Sequence, residues 1–249
     1  MKTKIIEKLK ELEEEYGIKI IMAVESGSRA WGMASKDSDY DVRFVYTYPI
    51  EKYLSIFGAK DSINRVFEDI NADFVGFDVR KFVSMLSASN PTVIEWLNSD
   101  ILYYGEQNKV FKEWANLKFN AISLFHHYKS MCKQNYKEYI EQNKKVTLKK
   151  YLYVMRGLVN ASWVFEKNCL PKIKLEDTAK GHILPQKILA TVLDIIENKK
   201  AQREMDVEQR IPYLDKFIEA FLESKSEPQK RTYERPYALD TELRRIILG

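Results

Sequence analysis

The chain has 249 residues, of which 45% are hydrophobic, 12% aromatic and 31% charged. That balance excludes a disordered chain and suits one large globular domain or two modest ones with buried cores. Lys and Arg number 40 against 36 Asp and Glu, and the resulting charge of +4 is too mild to argue nucleic-acid binding alone.

The opening MKTKIIEKLKELEEEYG carries Ile5, Leu9, Leu12 and Tyr16 at helical spacing, and Gly17 stands where such a helix stops. It contains no apolar signal core, and no apolar run is long enough to cross a bilayer. The expectation is a cytoplasmic chain with no membrane partner. IKIIMAV, residues 18–24, predicts a strand buried on both faces of a helix-covered sheet. Residues 40–48, YDVRFVYTY, predict a second strand closed by Pro49, and ADFVGF at 72–77 a third. A helix follows over 79–89, and Asn90-Pro91 predict the cap and first turn of another.

From about residue 108 the pattern turns helical, with segments at 109–142, 148–168, 185–203 and 211–223. The expected division is a catalytic domain at 1–107 and a helical domain at 108–249, ending in a partly mobile polar tail that holds Pro228 and Pro236. Cys132 and Cys169 read as two buried, reduced thiols. They share no metal-ligand spacing with His126, His127 or His182, which argues against zinc.

The stretch ESGSRAWGMASKDSDYDVRFVY, residues 25–46, carries the chemistry. A strand delivers Gly27 and Ser28 into a tight turn whose backbone N–H groups and hydroxyl suit a phosphate. Asp39 and Asp41 alternate with Tyr40 and Val42, so a strand would project both carboxylates on one side. Close carboxylates favour a bridging cation, and Mg²⁺, with its preference for oxygen ligands and substrate phosphates, is the natural one. A third carboxylate would complete a two-ion site for nucleotidyl transfer. Asp73 is the preferred third, because it opens an apolar strand; Asp78 is the alternative and also reads as a helix N-cap, with Asp69 a weaker option. Each half of the stretch alone has a bland reading as a turn and a capped edge strand. Their spacing argues for a joint site.

GSRA at 27–30 and SDYDVR at 38–43 resemble the signature of the DNA polymerase beta-like nucleotidyltransferase superfamily. With GFDVRKF, SNPTVIEWLNS and LKKYLYVMRGLVNASW in collinear order, the chain resembles, more narrowly, the RlaP group, the RNA repair pathway DNA polymerase beta family. The resemblance implies an α+β fold, a mixed sheet with flanking helices followed by an all-helical C-terminal domain. It implies metal binding by Asp39, Asp41 and Asp73, with two Mg²⁺ ions or Mn²⁺ in their place. A nucleoside triphosphate would meet Gly27, Ser28, Arg29 and Arg43, and a cationic helix stripe of Lys149, Tyr153 and Arg156. The implied acceptor is an RNA end; a small molecule, a protein hydroxyl or a non-catalytic nucleotide-binding module are the alternatives. Trp96, in the EWL segment, reads as core.

Overall fold

The computed structural model describes residues 1–143, 146–201, 206–207, 210–230 and 236–249. The chain opens with α1 (Lys2–Tyr16), which buries Ile5, Leu9 and Leu12 and ends at Gly17 in the left-handed region, φ 59°. There follow β1 (Lys19–Glu25), the single turn α2 (Gly27–Ala30), β2 (Tyr40–Thr47), α3 (Ile50–Tyr53), β3 (Ser62–Phe67) and β4 (Ala72–Asp78). Next come α4 (Val79–Ser87), α5 (Pro91–Asn98), β5 (Leu102–Gly105) and α6 (Lys109–Leu117). α7 (Ala121–Tyr136) runs into the π-helical turn Lys137–Glu141, then β6 (Val146–Thr147) and α8 (Leu148–Lys167). The remainder is α9 (Leu175–Lys180), α10 (Gln186–Lys200), β7 (Asp206–Val207), α11 (Pro212–Glu223) and α12 (Tyr237–Leu248). No helix of the described residues is long and apolar enough to cross a membrane.

Two compact units result. The first joins Met1–Ala30, Asp39–Phe119 and Tyr233–Gly249; the second joins Trp31–Ser38 and Asn120–Thr232. This differs from a single boundary at 107/108. Asn108 caps α6, which stays with the first unit, and Asn108 Nδ2 also donates to Glu242 Oε1 on α12. The helical segment expected over 109–142 is interrupted because Asn120 starts a new helix, its Oδ1 accepting the Ser123 N–H at 3.1 Å.

The first unit is built on a five-stranded mixed sheet in the order β3-β4-β2-β1-β5. β2 and β4 run parallel, and the other pairs are antiparallel. β1 therefore has antiparallel neighbours on both sides, and its consecutive buried residues from Met22 to Glu25 match the strand buried on both faces that its apolar run suggested. Period-two alternation divides the faces. Val42, Phe44 and Tyr46 of β2 join Phe74 of β4 in a core with the apolar stripe of α1. Gly76 is required there, since a Cβ would overlap the Phe44 ring. On the opposite face α4 covers the far end of β2 and β4, and Trp96 of α5 stacks on Phe77 with ring centroids 4.7 Å apart. Trp96 is thus core.

In the second unit α7 and α8 pack closely, and Gly157 permits it, since a Cβ would approach Cys132 N to 2.7 Å. Cys132 is buried and Cys169 exposed, both as free thiols. The expected helix at 185–203 is found as far as Lys200, and residues 202–205 lie outside the described ones. Of the tail expected to be mobile, Pro228 is buried and Glu227 pairs with His126 Nε2 at 2.8 Å; residues 231–235 lie outside the described ones.

Burial pushes the phenols of Tyr46, Tyr53, Tyr103 and Tyr136 well above the ordinary tyrosine range, and that of Tyr151 to about 12. The folded chain then keeps protons that the unfolded chain loses above pH 10. This stability is complete below pH 10 and is lost as pH rises through about 12. Alkaline titration should therefore show one cooperative unfolding step accompanied by a rise in tyrosinate absorbance. Gradual ionisation of all tyrosines from pH 10, without unfolding, would contradict it.

Candidate active site

The Gly-Ser turn and the Asp-Tyr-Asp stretch are joined residue by residue. Ser26 N–H donates to Asp41 O at 2.9 Å, and Arg29 Nε donates to Asp39 O at 3.1 Å. Arg29 also lays its guanidinium over the Tyr40 ring at 3.8 Å, so its contacts hold the motif together. Gly27 has φ 59°, and a Cβ there would overlap the Asp41 carboxylate. The glycine lets the turn pass directly beside Asp41. Ser28 follows it, nearly buried.

Asp39 is exposed and lies just before β2, so it is not part of the ladder as expected. Asp41 and Asp73 are register partners on the parallel strands β2 and β4. Arg43, two residues on along the same face, bridges them: Nη2 lies 2.8 Å from Asp41 Oδ1, and Nη1 lies 3.0 Å from Asp73 Oδ2. Nη1 also donates to Asp73 O at 2.9 Å and Val42 O at 3.1 Å. Burial pushes the Asp41 carboxyl above the usual carboxylate range. The Arg43 charge opposes that rise, and Asp39 and Asp73 add to it.

Asp78 belongs elsewhere. Its side chain caps α4 through Arg80 N–H at 2.9 Å and accepts the Tyr53 hydroxyl at 2.7 Å. Asp69 lies 3.6 Å from the Lys8 ammonium, so of the three candidates for the third carboxylate Asp73 is the one paired in register with Asp41.

The donor set is all oxygen and crowded with like charge, which fits a hard divalent cation. It is not closed into one coordination sphere. Among the described residues no three His, Cys, Asp or Glu side chains are grouped to hold a metal ion. Arg43 bridges Asp41 and Asp73, and Asp39 stands at the rim of that pair, close enough to act on the Asp41 charge. In this arrangement the guanidinium supplies the positive charge between the two register partners.

A glutamate that the motif did not flag completes the site from behind. Glu25 closes β1 and is 0% exposed. Its Oε1 accepts the Asp41 N–H at 2.8 Å, and its Oε2 accepts the Tyr103 hydroxyl. Burial raises its carboxyl above the usual range. A charged residue at the end of an otherwise apolar strand was the available signal.

The chain matches the model of RlaP, the RNA repair pathway DNA polymerase beta family, over residues 1–246. It belongs to that family. YcgL, an uncharacterized protein of Bacillus subtilis (strain 168), is 36% identical over 254 residues, covering 100% of this chain and 96% of its own. MJ0002, an uncharacterized protein of Methanocaldococcus jannaschii, is 30% identical over 145 residues, 55% of this chain and 56% of its own. Among solved structures, a nucleotidyltransferase-like protein from Exiguobacterium sibiricum 255-15 aligns with 96% of this chain and 74% of its own, at 12% identity and a TM-score of 0.30. The α+β expectation holds for this RlaP chain: a mixed five-stranded sheet with flanking helices and a helical C-terminal portion.

The three remaining expected site residues of the RlaP chain lie on α8, in the second unit. Lys149 is exposed, and Tyr153 has the Lys199 ammonium 5.9 Å from its ring centre. Arg156 is buried, with its guanidinium 3.6 Å from the Trp31 ring centre and Nη1 3.4 Å from Met131 Sδ. Those contacts give Arg156 a packing role within its own unit.

Proposed function

We propose that the chain is a Mg²⁺-dependent nucleotidyltransferase that moves a nucleoside monophosphate from a nucleoside triphosphate to a hydroxyl, with an RNA end as acceptor. The observation that carries the reading is the register pairing of Asp41 with Asp73 immediately beside the Gly27-Ser28 turn. The family's RNA-repair designation supports the choice of acceptor.

In this reading the acceptor oxygen attacks the α-phosphorus, the α–β phosphoanhydride bond breaks, and pyrophosphate leaves. Asp39, Asp41 and Asp73 would hold the cations, with Mn²⁺ as a substitute for Mg²⁺. Such ions, when bound, polarise the phosphoryl oxygens and lower the acceptor hydroxyl's pKa. Asp73 orients that hydroxyl and takes its proton. Gly27 and Ser28 bind phosphate oxygens through backbone N–H groups and the Ser28 hydroxyl. Arg43 exchanges carboxylates for phosphate, because both offer the oxygens that a guanidinium recognises.

The assay is incubation of the full chain with labelled nucleoside triphosphates, Mg²⁺ and RNA with free or blocked 3′ ends. Incorporation that needs a free hydroxyl supports the reading; labelling of a small molecule or a protein instead would redirect the acceptor. Binding to RNA should fall steeply with added salt through counterion release. Absence of transfer with every triphosphate and acceptor would leave a nucleotide-binding module and end the enzyme reading.

Gly27→Ala tests the turn. The left-handed φ alone costs an alanine about 1–2 kcal/mol, and its methyl displaces the Asp41 carboxylate. Transfer should drop roughly 100-fold, the scale expected of an ångström-size misplacement. Wild-type turnover in this variant would show that the turn does not set Asp41.

A further inference from the structure

Glu25 touches none of the reacting groups in the proposed mechanism, yet all of its polar groups are engaged at the end of β1. Its N–H donates to Ile101 O at 2.9 Å, and its carbonyl accepts the Ser99 hydroxyl at 2.6 Å. One carboxyl oxygen accepts the Asp41 N–H and the other the Tyr103 hydroxyl. Consecutive residues, Glu25 and Ser26, thereby hold both polar groups of Asp41's backbone, the N–H from the side chain of one and the carbonyl from the N–H of the next. Period two puts the Glu25 side chain with Ala23 and Tyr103 on the α1 side of the sheet. The Asp41 carboxylate projects from the other side, towards Arg43.

Full burial of an acid is costly, and the hydrogen bonds it makes must offset that cost. Here they fix the peptide that carries a site carboxylate. We propose that Glu25, locked by Tyr103, is a positioning residue: through the Asp41 backbone N–H it sets the direction in which Asp41 presents its carboxylate to the cation. The inference rests on the reading of Asp41 as a metal-binding carboxylate of a nucleotidyltransferase.

The test compares Glu25→Ala, Glu25→Gln and Tyr103→Phe in the full chain. Three quantities are measured: hydrogen exchange of the Asp41 amide, Mn²⁺ affinity by electron paramagnetic resonance, and kcat and KM for transfer. Glu25→Ala should speed Asp41 exchange about tenfold, the scale of one lost hydrogen bond. It should weaken Mn²⁺ binding by about 10–100-fold, as loss of a partner that orients a metal ligand does. The loss of transfer should fall on kcat, with KM for the triphosphate unchanged.

Glu25→Gln retains an oxygen for the same N–H, so it should restore exchange protection and Mn²⁺ affinity. Tyr103→Phe frees one Glu25 oxygen and should give a smaller loss in both, which keeps the test decisive if Glu25→Ala fails to fold. Wild-type exchange and Mn²⁺ affinity in Glu25→Ala, or in Tyr103→Phe should Glu25→Ala not fold, would overturn the proposal. So would a Glu25→Gln protein as impaired as Glu25→Ala. If the wild type binds no Mn²⁺ and transfers no nucleotide, the enzyme reading falls, while the exchange measurement still decides whether Glu25 holds Asp41.

Discussion

Asp41→Asn is expected to reduce nucleotidyl transfer by about three orders of magnitude, because a bound divalent cation supplies several kcal/mol of transition-state stabilisation and each ~1.4 kcal/mol is tenfold. Asp73→Asn should fall into the same class, since Asp73 is the register partner of Asp41 and shares Arg43 with it. Asp41→Asn should not lower the melting midpoint. Asp41 is a half-buried carboxylate pressed by its own desolvation and by two neighbouring carboxylates, so a neutral amide of the same shape relieves repulsion. A site kept at the expense of local stability is what function requires. The measurement pairs a transfer assay with calorimetry. Full activity in Asp41→Asn would remove the chemistry assigned to this face of the sheet.

The second large effect is structural and lies in the helical unit. Asp215 is buried, with Oδ1 accepting the Tyr151 hydroxyl at 2.7 Å and Oδ2 accepting Arg210 Nε at 2.8 Å. Arg210 continues the chain to the Tyr136 hydroxyl at 2.9 Å, and Tyr136 donates to Glu219 at 2.6 Å. These bonds tie α11 to α7 and α8. Asp215→Ala leaves a phenol and a guanidinium without their acceptor, which in a fully buried setting costs about 3–5 kcal/mol. Arg210 is 35% exposed, and solvent screening lowers the figure to about 2–4 kcal/mol. For a chain of this size that is a fall of roughly 5–10 °C in the melting midpoint by calorimetry. Asp215→Asn keeps one acceptor for Tyr151 but turns a donor towards Arg210, so it should fall between. An unchanged midpoint in Asp215→Ala would show that the network contributes nothing net.

The strand bearing Asp41, the Asn90-Pro91 helix start and the Gly17 helix stop were legible, because each follows from local backbone chemistry. Asp78 was legible as a cap for the same reason. β3 and β5 were not. β5 has four residues, and β3 is an edge strand with Asn64, Arg65 and Val66 exposed, so neither carries the apolar run or clean alternation that marks a strand. The role of Glu25 depends on Asp41 and Tyr103, 16 and 78 residues away, and no local window contains them. Arg156 shows how one spacing serves two readings. Its spacing with Lys149 and Tyr153 suggested a phosphate stripe, whereas a planar guanidinium also stacks well on an indole, and Trp31 is the ring it meets.

Trp31 also exposes a property of the threading. The stretch between Ser28 and Asp39 is short enough to look like one catalytic loop, yet Met33 is buried in the helical core and Leu175 N–H donates to Trp31 O at 3.2 Å. The first unit, in turn, is finished by α12, which packs on α4 and α6. No single cut of the polypeptide therefore releases either half whole. A fragment stopped after Phe119 loses the helix that covers α4 and α6 and strands Met33 without its apolar neighbours. Dissection of this protein calls for circular permutation or paired fragments expressed together, and a lone half that aggregates reports only its missing pieces.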